Sequence, residues 1–154
     1  MASTLDLYRK LTALPQGKRL FSIAYGKKAP YFGSIHMMVR EMAPHHGEVT
    51  IPKRRSVQNH IGTVHAIAAC NGLEAAMGLL AEATCPSDSR WLPKGMEVSY
   101  VAKSDGPLTC TATSTAEDWE NGPDVPVTVQ AALPDGTVTV EGTIALWVTK
   151  KSQR

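Results

Sequence analysis

The stretch from Thr63 to Ala83 constrains this chain more than any other. Beyond His65 it is built on Ala, Gly, Leu and Met, and only Asn71, Glu74 and Glu82 interrupt its apolar run. Alanine is the best helix former, so one long helix is predicted over Thr63 to Ala83. Apolar residues fall on nearly every face of that helix, so it has to be enclosed by other elements. The run is also about as long as a membrane span. Its small-residue composition and its carboxylates fit a helix buried inside a soluble protein better.

What can enclose it follows from the flanking pattern. Downstream of Pro86 the period switches to two. Met96, Val98, Tyr100 and Ala102 share a face, and Leu108, Cys110 and Ala112 alternate with Thr109, Thr111 and Thr113. Val125 to Ala131 and Val138 to Val148 continue the alternation. Asp105-Gly106 and Asp135-Gly136 are tight-turn signals, so these four strands are expected as consecutive antiparallel neighbours. Upstream, Ile35, Met37 and Val39 alternate with polar positions, Pro44 to Gly47 turns, and Glu48 to Ile51 returns as a hairpin. Thr4 is expected to cap a helix from Leu5 to Ala13, and Pro15 to open a second ending near Gly26. The predicted architecture is α+β: a curved antiparallel sheet wrapped around one central helix, with extra N-terminal helices over residues 1–30. With 154 residues in all, a single domain spanning 1–154 is expected.

Charge narrows the function. Lys and Arg number 16 against 14 Asp and Glu, a net charge of +2. Such balance argues against nucleic-acid binding, which needs a concentrated basic face. Aromatics are 6% of residues, too few for a base-stacking platform. Cys70, Cys85 and Cys110 are scattered and odd in number, so neither a disulfide framework nor a zinc site is read, and a cytoplasmic compartment is expected. The N-terminus has no basic start followed by an apolar core, so no signal peptide is expected. His36, His45 and His46 have no Asp, Glu or Cys cluster beside them, and no metal or other cofactor is expected.

The chemistry concentrates where the long helix begins, in Asn59-His60-Ile61-Gly62-Thr63-Val64-His65-Ala66, followed by Glu74. A carboxylate in an apolar helix must be paired, solvated or functional, because burying it alone is costly. Free N–H groups at a helix start, together with the positive dipole end, can stabilise a developing oxyanion. Ala66 and Glu74 lie eight positions apart, about 80° around and about 12 Å along a helix. One carbonyl cannot reach both in one chain. Two antiparallel copies of the helix, related by a dimer two-fold, could bring them together.

At Asn59-x-x-Gly62-Thr63-x-His65 and the spacing to Glu74, the sequence resembles the hotdog-fold thioesterases. The likeness is to the phenylacetyl-CoA and hydroxybenzoyl-CoA thioesterase-like group and a less characterised thioesterase branch. By element order it covers roughly Ser34 to Val148. The resemblance implies acyl-CoA or acyl-carrier thioester hydrolysis by a homodimer or homotetramer. It implies an oxyanion hole at the Ala66 N–H and Glu74 as nucleophile or general base from the facing subunit. Asn59 would donate to substrate or hold water, and His65 would orient Asn59 or touch substrate. Gly62 and Thr63 would line the binding site. Two departures stand out: Ala66 replaces the usual Gly, and Gly78 stands where some members carry a hydroxyl. They motivate an alternative, a non-catalytic acyl-CoA-binding or regulatory hotdog protein. An acyl-thioester dehydratase is a third option.

Each residue also has a structural reading. Glu74 could serve only in an ion pair, His65 only as an interface histidine, and Asn59 only as a turn or cap residue. Lys53-Arg54-Arg55 could be a solvated loop, or could contact coenzyme A phosphates. The methionines fill core gaps or line a pliable acyl tunnel.

Overall fold

The computed structural model describes residues 3–152. Three helices open the chain, α1 (Thr4–Thr12), α2 (Gly17–Lys28) and α3 (Pro30–Gly33). The cap of α1 is Ser3, one residue earlier than expected. Its hydroxyl accepts from the Asp6 N–H while the Asp6 carboxylate accepts from the Ser3 N–H, a reciprocal capping box. Thr4 is the first helical residue, and its hydroxyl donates to Glu82 instead. Pro15 does not open α2. Gln16 turns the chain in a left-handed conformation, and α2 runs through Gly26 to Lys28.

The hairpin follows as β1 (Met38–Ala43) and β2 (His46–Ile51), joined by a turn in which His45 has φ of 62°. After a 3-10 turn at Arg55–Val57 comes α4 (Ala66–Thr84), and then β3 (Ser89–Tyr100), β4 (Leu108–Thr113), α5 (Ala116–Glu120), β5 (Asp124–Ala132) and β6 (Val138–Lys150). The six strands form one antiparallel sheet in the order β1-β2-β4-β5-β6-β3. The sheet packs on α4, giving the hotdog architecture. Helix α4 is long and apolar enough to cross a membrane, yet most of it is buried against the sheet and the N-terminal helices.

The strand connections also differ from expectation. The β3–β4 connection is not a hairpin, because β3 pairs with β6 from Ser89↔Lys150 to Tyr100↔Val140. Val101 to Pro107 instead crosses the sheet end, held by Val101 N–H to Thr139 O and by a buried Ser104–Thr139 hydroxyl bond. The short α5, capped by Thr115 with Asp118, was not anticipated.

Small residues set how deeply α4 sits. A Cβ on Gly47 of β2 would fall 2.0 Å from the carbonyl oxygen of Ala76, so strand and helix backbones touch there. Ala69, Leu73, Ala76, Leu79 and Leu80 are fully buried along α4. At the far end of the sheet, β3 is an edge strand that leaves Leu92 and Tyr100 largely exposed.

Candidate active site at the start of the central helix

The helix begins at Ala66, three residues later than the sequence pattern suggests. Local hydrogen bonding explains the delay. Asn59 Oδ1 accepts from the N–H groups of Ile61 and Thr63, its Nδ2 donates to Thr63 Oγ1 at 2.8 Å, and its own N–H goes to Thr63 O. Gly62 completes this closed loop at φ of 81°, a conformation that glycine adopts without strain. The Gln58–Val64 bridge, His65 N–H to Val57 O and Val64 N–H to Ser104 O then clamp the loop to the body. Asn59 and Thr63 are thereby committed to each other, and His65 does not touch Asn59.

His65 is the N-cap of α4. Its Nδ1 accepts from the Ile67 N–H at 3.1 Å. A ring whose Nδ1 accepts this bond carries its N–H on Nε2, one donor on an exposed ring. Ala69 N–H is taken by His65 O. The N–H groups of Ala66 and Ala68 have no hydrogen-bond partner among the described residues. They sit at the positive end of a long helix, where a carbonyl oxygen gaining charge is stabilised. A pocket of about 240 Å³ opens at the helix start, lined by Ser34, Ser56, Gln58, His65, Ala68 and Asn71 among others.

The two carboxylates of α4 differ sharply in company. Glu82 accepts from the Thr4 hydroxyl and is 3.9 Å from the Lys28 ammonium. Glu74 is partly buried and has neither an ion pair nor a hydrogen bond among the described residues. Its field is felt nonetheless. The buried Tyr25 phenol is pushed above its ordinary pKa, chiefly by burial and further by Glu82 and Glu74. Tyr25 Oη donates to Ala75 O and stands where a side chain on Gly78 would go, 2.7 Å from the position of its Cβ.

The basic run divides. Lys53 is paired with Asp105. Arg54 lines a separate cavity of about 520 Å³ under α2, and Arg55 begins the 3-10 turn. Asn71 is the site residue whose role the sequence did not suggest. It lies one turn before Glu74, is buried, and donates from Nδ2 to Tyr31 O at 2.9 Å, while its Oδ1 has no partner. A polar residue in an apolar helix beside Glu74 was the available signal. Among the described residues no group of His, Cys, Asp and Glu is arranged to hold a metal. Cys110 is fully buried under α4, and burial pushes its thiol well above the usual range. Such a thiol is a packing residue and not a nucleophile.

Known structures share this architecture. A crystal structure from a structural-genomics programme is 37% identical over 96% of this chain and 99% of that one, with a TM-score of 0.85. A Pseudomonas aeruginosa protein described as a probable thioesterase is 18% identical, covering 90% of this chain and 97% of that one, with a TM-score of 0.75. A thioesterase family protein from Silicibacter pomeroyi is 16% identical over 84% and 96%, with a TM-score of 0.71. At those last two identities the likeness is one of fold. No functionally curated protein matches the chain. A family profile described as Domain of unknown function (DUF4442) matches residues 17–148, and this hotdog chain belongs to that family.

Proposed function

We propose that the protein hydrolyses acyl thioesters, acyl-CoA or acyl-carrier, as a dimer with two shared sites. The observation that carries this reading is the contrast on α4: Glu82 has partners and Glu74 has none among the described residues, on a helix that starts with free N–H groups next to a pocket lined by His65 and Ala68. A carboxylate without a partner keeps its lone pairs available to a water proton or a carbonyl carbon, as a general base or nucleophile requires. The fold it shares with proteins described as thioesterases agrees with this reading.

In this mechanism the thioester carbonyl oxygen accepts from the Ala66 N–H, with the His65 Nε2–H as a further donor. Glu74 of the partner subunit takes a proton from water as the water oxygen bonds to the carbonyl carbon. The tetrahedral intermediate then expels the thiolate, which is reprotonated. Direct attack by Glu74 through an anhydride is the other balanced route. Asn59 acts as a positioning residue, since its amide holds the loop that presents His65 and Ala66. The partner is reached through β3: a long edge strand with exposed Leu92 and Tyr100 is open to pairing with a second copy.

A thioester panel read by free thiol release tests the reading, varying chain length and aromaticity. Glu74→Gln should lower kcat by about 100-fold or more, the usual contribution of a general base. Full turnover by that variant refutes the mechanism. Tight acyl-CoA binding without hydrolysis by the unmodified protein favours the binding-protein alternative, for which the Ala66 and Gly78 departures speak.

A further inference from the structure

We propose that the cavity between α2 and the start of β1 binds a nucleoside phosphate, the phosphorylated end of a coenzyme A thioester. The inference rests on the thioester reading for its source of ligand, and on its own geometry for the site. The cavity measures about 520 Å³, within the usual range for small-molecule sites. Arg19 and Lys27 of α2, His36 and Arg54 line it, and no carboxylate does. Arg19, Lys27 and Arg54 make no ion pair among the described residues, whereas Lys28, Lys53, Lys94 and Lys150 each have an acidic partner. Three exposed cations, two from α2 and one from the loop after β2, therefore line one hollow that has no carboxylate in its wall. Guanidinium groups match phosphate oxygens in pairs, and a hollow lined by one sign of charge favours an anion. With a net charge of only +2 the chain has no general excess to explain this.

The walls are fixed. Ser22 Oγ accepts from Val39 N–H at 2.8 Å and donates to Lys18 O, which ties α2 to β1. Gly26 of α2 and Gly33 of α3 pack so closely that a Cβ on either would lie 3.2 Å from the other's backbone. Ile23, Met37 and Met38 supply an apolar, polarizable surface suited to a base or ribose. The two hollows are bordered by the same chain segments. Ser34, Ile35, Ser56 and Val57 line the pocket at the helix start, while their chain neighbours His36, Met37 and Arg54 line this one. In this proposal the two ends of one extended ligand lie in these two hollows.

Adenosine 3′,5′-bisphosphate, titrated into the full chain by calorimetry, probes the site without any turnover. Binding is expected, weakening as salt rises and at least tenfold weaker in Arg19→Ala/Lys27→Ala, with Arg19→Lys/Lys27→Arg retaining it. The ratio of KM for an acyl-CoA to KM for the same acyl-pantetheine should rise at least tenfold in the alanine variant. Failure of the bisphosphate to bind, or equal binding by the alanine variant, overturns the proposal. Equal competition by inorganic phosphate overturns recognition of the nucleoside. If the bisphosphate binds as expected but no thioester is hydrolysed, the anion site stands and the thioesterase reading falls.

Discussion

Replacing Gly47 by alanine should strike a place where sheet and central helix meet backbone to backbone. The added Cβ would lie 2.0 Å from Ala76 O and 3.0 Å from Leu80 N. Neither atom can swing aside, because both belong to the ladder of a buried helix. Normal carbon–oxygen contact needs more than an ångström of extra separation, so α4 must retreat or β2 must bow. A gap of about 0.5–1 Å forfeits a quarter to a half of each dispersion contact it opens. Leu73, Leu79 and Leu80 are fully buried and share that loss. Overpacking of this kind costs about 3 kcal/mol at the upper end of its usual range, a fall in Tm of about 6–12 °C for a domain of this size. Gly72 provides a graded comparison. Its Cβ would meet the Ile51 Cδ1 tip at 2.4 Å and Cys110 Sγ at 2.8 Å, both side-chain atoms that can shift, so Gly72→Ala should cost less, about 1–2 kcal/mol. Gly95 has nothing within 4 Å, and Gly95→Ala should change stability by no more than about 0.5 kcal/mol. Urea denaturation of the three variants gives the ranking. Gly47→Ala as stable as Gly95→Ala would refute the argument that backbone contact sets the depth of α4.

Two further expectations concern the helix start and acid. His65→Ala should cost about 1 kcal/mol through loss of the cap, and His65→Asn, a good N-cap, should recover most of it; wild-type stability in the alanine variant contradicts the cap. Asp6, Asp88, Asp105, Asp118 and Asp135 are held below the ordinary carboxylate value of 3.8, through bonds from Ser3, Lys150, Lys53, Thr115 and Thr137 respectively. Groups with depressed native pKa stabilise above their unfolded value and lose that contribution as pH falls through the native one. The denaturation midpoint should therefore be flat near neutrality and decline below about pH 4. Salt should weaken the Asp88 and Asp105 ion-pair share and spare the caps, and a midpoint that rises on acidification contradicts the sign.

The alternation of Leu108, Cys110 and Ala112 and the Ala-rich run after His65 were legible because side-chain periodicity is a local property. The turn at Pro44-His45, the hairpin around it and the enclosure of α4 by a sheet followed from the same kind of pattern. Glu74 could be singled out because a carboxylate in an apolar helix demands an explanation wherever it lies. Strand pairing was another matter. Asp105-Gly106 reads as a hairpin turn, yet β3 joins β6 over its full length, because register is decided by competition among distant strands. The start of α4 was set by Asn59 bonds to Thr63 and a clamp from Ser104, a residue forty positions downstream of Val64. Nor does the sequence show that Glu82 has partners and Glu74 has none among the described residues. That difference arises because Thr4 and Lys28 fold back onto one carboxylate and leave the other alone. The sequence by itself determined which residues are able to do chemistry here, since side-chain type and local period are covalent facts. Only the tertiary structure decided which of them are already engaged, because hydrogen bonds and ion pairs depend on what the fold brings within about 3–4 Å.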